Sequence, residues 1–175
     1  MNENVSKRPG YYSNPVLIEA ARGILNDVKD WAAPDDLGSD DEIIAALAHA
    51  MRSSQDPFEI ATELARRYWE PDYALCEVLD GANFFHARDL VVSKWVEENG
   101  ILPILSIGAS VNTPRGEGVI KEIIGKTGEY IVAPPDDPRF AKGGGWLVPF
   151  EDAEDATKAF DAIADTDGGI SHGNV

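Results

Sequence analysis

The pattern of apolar and polar positions changes character once along the chain, near Gly100. Before it, apolar residues recur every three or four positions, the spacing of helices with one buried stripe. Leu17, Ala20, Ala21, Ile24, Val28 and Trp31 share one side of a helix predicted over about 15–32. Asn14 and Pro15 start it as an N-cap and a first-turn proline, and Gly23 weakens it. Ser39-Asp40-Asp41-Glu42 has the form of a capping box, whose Ser and Glu satisfy each other's backbone N–H groups. A second helix follows with Ile43, Ile44, Leu47 and Met51 inward. Asp56-Pro57 starts a third, with Ile60, Leu64 and Tyr68 along one side. Pro71 ends it, and Asp72 opens a short fourth helix to about Leu79. The fifth is expected over 82–98, burying Phe84, Ala87, Leu90, Val91 and Trp95, and Asn99-Gly100 stops it.

After Gly100, glycine, proline and β-branched residues replace the helical period. Ala109–Thr113, Val119–Ile124, Tyr130–Ala133 and Trp146–Phe150 read as short strands separated by turns. From Glu151 the pattern turns helical again, with acidic residues in the first turn and Phe160 and Ile163 as its apolar anchors. The organisation expected is a flexible 1–13, an α-helical module over 14–100, a β-rich unit over 101–152 and an acidic helical tail over 153–175. The fold class is α+β.

Composition adds bounds. At 175 residues and 43% apolar, the chain is long enough to bury a core. Its one cysteine, Cys76, allows no internal disulfide, which fits a reducing compartment and a cytoplasmic location. MNENVSKRPG has no apolar core of the kind a signal peptide needs, and no window is long and apolar enough to span a membrane.

Charge sharpens the picture further. Fifteen Lys and Arg face 31 Asp and Glu, a net of -16. The imbalance is -10 over residues 1–100, zero over 101–150 and -6 over 151–175. Such a field repels phosphate backbones and anionic membranes and attracts basic surfaces.

The letters Gly125-Lys126-Thr127 match the end of a phosphate-binding loop. That motif needs a glycine five residues before its second glycine, and Ile120 stands there. The intervening Lys121-Glu122-Ile123-Ile124 favours an extended strand, and Gly128-Glu129-Tyr130-Ile131-Val132 promises another strand where a helix should follow. The stretch is therefore expected to be a hairpin turning at Gly125–Gly128.

The same region carries a resemblance. From Gly108, the run Ala-Ser-Val-Asn-Thr-Pro-Arg-Gly-Glu-Gly-Val-Ile-Lys-Glu-Ile is similar to the opening of SH3-like small barrels of the KOW and Tudor-like type. Tyr130-Ile131-Val132 and Trp146-Leu147-Val148 resemble the later strands, and Pro149-Phe150-Glu151-Asp152 the closing turn. The likeness covers about 104–152. It implies a scaffold that binds protein tails or nucleic acid without catalysis.

The long connection APPDDPRFAKGGG offers Arg139, Phe140 and Lys142 as binding candidates, with Trp146 after it and Arg115 in an earlier turn. His86 and Asp89 lie three apart on one helix, the spacing of a ligand pair, but no second such pair exists to complete a metal site. His49 sits among alanines, His172 lies near the C-terminus, and Cys76 reads as a buried thiol. No nucleophile elbow is present. The expectation is a non-enzymatic acidic interaction protein without metal or cofactor, whose partner is a protein with a basic surface, with homo-oligomerisation left open. A sharper form is a nucleic-acid mimic of the kind phages and mobile elements carry. Nucleic-acid binding through Arg115, Lys121, Arg139 and Lys142 is the alternative, and a metal-dependent enzyme using His86 and Asp89 a third.

Overall fold

A computed structural model describes residues 6–32, 37–135, 140 and 144–157. Among them are six α-helices and a five-stranded antiparallel sheet, an α+β arrangement. The chain divides into two compact units, Met1–Asn99 and Gly100–Val175.

The helices of the first unit are α1 (Asn14–Gly23), α2 (Leu25–Trp31), α3 (Asp40–Ala50), α4 (Pro57–Ala65), α5 (Tyr73–Asp80) and α6 (Phe84–Asn99). The helix expected over 15–32 is broken at Ile24, whose φ of -111° and ψ of 3° leave the helical basin just after Gly23. Ile24 is itself buried, so the break redirects the chain without losing an apolar anchor. The capping box at Ser39 forms in full. Asp56 and Asp72 each accept N–H groups at the starts of α4 and α5. Packing of α1 on α3 and α6, of α4 on α3 and α5, and of α2 on α5 encloses one core. Leu17, Ile24, Leu47, Met51, Ile60, Leu64, Leu75 and Leu79 fill its centre.

Two positions depart from the expected stripes. Tyr68, expected on the buried side of the third helix, is 98% exposed, because α4 stops at Ala65. Leu90 is 39% exposed, while Val92 and Val96 of α6 are buried. Both corrections follow from phase. Ending α4 one turn early removes Tyr68 from its stripe, and α6 buries residues on more than one side.

In the second unit the strands are β1 (Ser110–Thr113), β2 (Gly116–Ile124), β3 (Glu129–Ala133), β4 (Trp146–Pro149) and β5 (Glu154–Asp155), ordered β4-β3-β2-β1-β5. A 3-10 turn at Phe150–Asp152 carries the chain from β4 towards β5. The last strand falls where a helix was expected. Val111 and Asn112 offer an unpaired edge of β1, and Asp155 and Glu154 take it. Residues 158–175, the rest of the expected helical tail, lie outside the described residues. Gly125–Gly128 is a tight turn, with Gly128 N–H donating to the Gly125 carbonyl at 3.3 Å and Gly128 at φ 63°. A bulge between Ile120 and Glu122 makes Lys121 the extra residue of β2. The core is Val111, Ile120, Tyr130, Val132, Val148 and Phe150. No described helix is long and apolar enough to cross a membrane.

Candidate functional site

On the helical unit, cap chemistry fixes several carboxylates. Glu42 accepts the Ser39 backbone N–H and hydroxyl, both at 2.8 Å. These bonds hold its carboxyl below the ordinary value, the backbone bond contributing most. Asp72 accepts the Leu75 N–H at 3.0 Å and the Trp31 indole N–H at 2.9 Å, which lower its pKa in that order. Trp31 in turn stacks on Trp69, with centroids 6.3 Å apart and planes 12° apart. One carboxylate thus starts α5 and orients an indole pair between α2 and the end of α4.

That end is a Schellman motif. Trp69 N–H reaches the Leu64 carbonyl at 3.3 Å, and Tyr68 N–H the Ala65 carbonyl at 3.2 Å. Its left-handed position normally takes glycine, but here holds Tyr68 at φ 69°. The backbone of Tyr68 completes the cap while its ring projects into solvent.

The remaining carboxylates are surface charges. Lys29–Asp40, Arg66–Glu63, Arg22–Glu19, Arg88–Asp89 and Lys94–Glu98 form ion pairs at 2.7–3.8 Å. Arg52 donates to Asn14 Oδ1. Those pairs engage most of the unit's cations. Asp27, Asp30, Asp41, Glu59, Glu77 and Glu97 are exposed and have no ion-pair partner among the described residues. Phe58, Tyr73 and Phe85 are exposed alongside them.

The segment Ser6–Ser13 is irregular but tied to α6. Trp95 Nε1 donates to the Ser6 carbonyl and hydroxyl at 3.0 Å, and the Arg8 guanidinium lies 5.1 Å from the Trp95 ring centroid. Tyr11 meets Phe85 edge-on at 5.4 Å and lies under the Arg88 guanidinium. Sequence patterning assigned this stretch to a flexible end, because cation–aromatic pairs have no period to detect. A shallow depression of about 300 Å³ lies nearby, bounded by Gln55, Leu79, Asp80, Asn83 and Phe85 among others.

The binding candidates of the second unit are only partly brought together. Phe140 and Trp146 meet edge-on, with centroids 6.2 Å apart. Trp146 is half-buried against the sheet core, and Phe140, expected to be exposed, is half-buried too. Arg115 sits at the β1–β2 turn, five residues before Ile120, whose partner Val132 pairs with Trp146. That places it about 17 Å along the strand from the Trp146 row. Lys121 is exposed at the bulge, six positions from Arg115. Arg139 and Lys142 lie outside the described residues.

The catalytic candidates stay apart. His86 and Asp89 are both exposed, and Asp89 pairs with Arg88. His49 approaches Glu63 at 4.0 Å, and Cys76 is buried. Among the described residues, no three His, Cys, Asp or Glu side chains gather as a metal-binding group. In comparisons with known proteins, no family model, no curated protein and no solved structure matches this chain.

Proposed function

We propose that the chain is a non-enzymatic, acidic protein-interaction module that binds a basic surface on a partner protein. The observation carrying this reading is the excess of exposed, unpaired carboxylates on the helical unit, led by Asp27, Asp30, Asp41 and Glu77. Their mutual repulsion costs the free chain stability, and a cationic partner relieves it. Exposed Phe58, Tyr73 and Phe85 supply the aromatic anchors that such interfaces use. In its sharper form the module is a nucleic-acid mimic, its carboxylates standing where phosphates would lie in a basic cleft.

The second unit fits this role as an SH3-like small barrel. Support comes from the β4-β3-β2-β1-β5 order, the bulged long β2 and the 3-10 turn before β5. A second reading, nucleic-acid binding by this unit, is favoured by exposed Arg115, Lys121 and Lys126, which have no ion-pair partner among the described residues.

The test is binding of the full chain to a panel of basic nucleic-acid-handling proteins, measured across ionic strength and with duplex DNA as competitor. The mimic reading expects affinity to fall steeply with salt and DNA to compete. An affinity indifferent to salt removes it. A gel shift with the full chain at low salt decides the second reading, and an unshifted nucleic acid rules it out.

A further inference from the structure

The segment Ser6–Tyr11 lies along α6 as an extended strap. Its contacts run from Trp95, which meets Ser6 and Arg8, to Phe85, which meets Tyr11. Ten helical residues between Phe85 and Trp95 span about 15 Å. Five residues from Ser6 to Tyr11 reach about 17 Å when extended. Ser6 and Arg8 lie at the Trp95 end of the helix and Tyr11 at the Phe85 end, so the strap runs antiparallel to α6.

The strap is also chemically particular. Its letters are Ser-Lys-Arg-Pro-Gly-Tyr-Tyr, two adjacent cations and no carboxylate in an acidic chain. The contacts that hold it include the Trp95 indole donor, Arg8 over Trp95, and Tyr11 edge-on to Phe85 and under Arg88. Such contacts are individually weak. Tyr11, Tyr12 and Phe85 remain partly open to solvent at 36%, 57% and 69% exposure. Pro9 and Gly10 form no helix, and the Ser13 N–H bonds back to the Gly10 carbonyl at 2.9 Å before α1 begins.

We infer that this face of α6 is a docking groove for an extended basic segment of a partner protein, with an arginine over Trp95 and an aromatic side chain on Phe85, and that the chain's own strap occupies it until displaced. The occupant is specified by what the groove already holds and by charge. A cation-bearing segment is drawn to an acidic unit, and the Trp95 indole N–H is aimed at a backbone carbonyl of that segment. The inference rests on the reading that the partner is basic, and it names where and how that partner is gripped. Because the strap is tethered, it competes at an effective concentration on the order of millimolar. Loosening it therefore raises the groove's apparent affinity for the same segment supplied from outside.

The test uses the full chain and a synthetic peptide of residues 6–12. Trp95 is followed through its indole N–H resonance, assigned with the W95F variant. In the R8A/Y11A variant the Trp95 resonance is expected to move. Added peptide should return it towards the wild-type position, with an affinity about tenfold or more above that for the wild-type chain. A peptide carrying alanine in place of its arginine and first tyrosine should not do so. Equal binding to both proteins, or none to a variant whose Trp31 and Trp69 resonances show it folded, overturns the proposal. If the double variant does not fold, R8A alone carries the same comparison. Strap exchange between two copies, seen as a dimer that R8A/Y11A dissociates, would make the occupant a second copy and likewise overturn it. A basic partner whose salt-sensitive affinity is unchanged by W95F overturns the groove and leaves the proposed function standing.

Discussion

Tyr130 holds Leu105 in place: the buried phenol oxygen accepts the Leu105 N–H at 3.0 Å and the neighbouring Ile104 N–H at 3.1 Å. Tyr130 is fully buried and packs on Phe150, so its hydroxyl is a fixed post for the segment that enters the sheet unit. Leu105 and Ile101 turn onto the core while Leu102 and Ile104 face out. Replacing Tyr130 by Phe keeps the ring and removes the acceptor for two N–H groups. The expected loss is about 1–3 kcal/mol. Hydrogen exchange at the 104 and 105 amides should accelerate more than at the β2–β3 amides.

Tyr68 predicts the opposite sign. Its left-handed backbone at φ 69° costs a non-glycine residue about 1–2 kcal/mol, and a 98% exposed ring returns almost no burial. Tyr68→Gly should raise stability by about 1 kcal/mol, after the extra chain entropy of glycine is subtracted. Chemical denaturation of the two proteins checks this, and a drop in stability would mean that the ring makes contacts in solution.

Gly118 is a packing constraint. A Cβ there would run into Val132 Cγ1 and sit 3.0 Å from the Ala133 carbonyl oxygen. Val132 is held in the core and the Ala133 oxygen is backbone, so neither yields cheaply. Gly118→Ala should cost about 1–3 kcal/mol. A companion Gly125→Ala change, where nothing lies within 4 Å, should cost far less. Thermal unfolding of the pair provides the comparison.

Asp72 makes stability depend on acid. Its pKa and that of Glu42 are lowered in the folded chain from ordinary values of 3.8 and 4.5. A carboxyl with a depressed folded pKa contributes stability above its ordinary value, and that contribution is lost as pH falls through the folded value. Wild type should therefore lose its advantage over Asp72→Asn as the pH drops below about 4. At neutral pH the variant should be the less stable of the two, since a neutral amide oxygen replaces the charged acceptor of the Leu75 and Trp31 N–H groups. Urea midpoints of both proteins at neutral and acid pH give the readout.

What could be read from the sequence was local. Ser39, Asp56 and Asp72 announce their helices because a cap and its N–H donors lie within three residues. The Gly125–Gly128 turn was legible for the same reason. Tyr68 was misplaced because the helix end is set by the Schellman closure and by the stacking of Trp69 on distant Trp31. The pairing of Glu154–Asp155 was hidden because it depends on the free edge of β1, some forty residues earlier. Of the candidate site, Phe140 and Trp146 come together, whereas Arg115 lies down the strand. The strap on Trp95 had no periodic signal at all.

Lys121 stands out in sequence as a cation, but its place in β2 gives it a different importance. As the extra residue of the bulge, it lets Lys121 and Glu122 both face outward while Ile120 and Ile123 both turn onto the core. Removing it would leave every neighbour on its present side and take away only the bend. The position should therefore accept almost any side chain, and its deletion should straighten β2 without turning any neighbour over. What matters there is the length of the strand rather than the charge it carries.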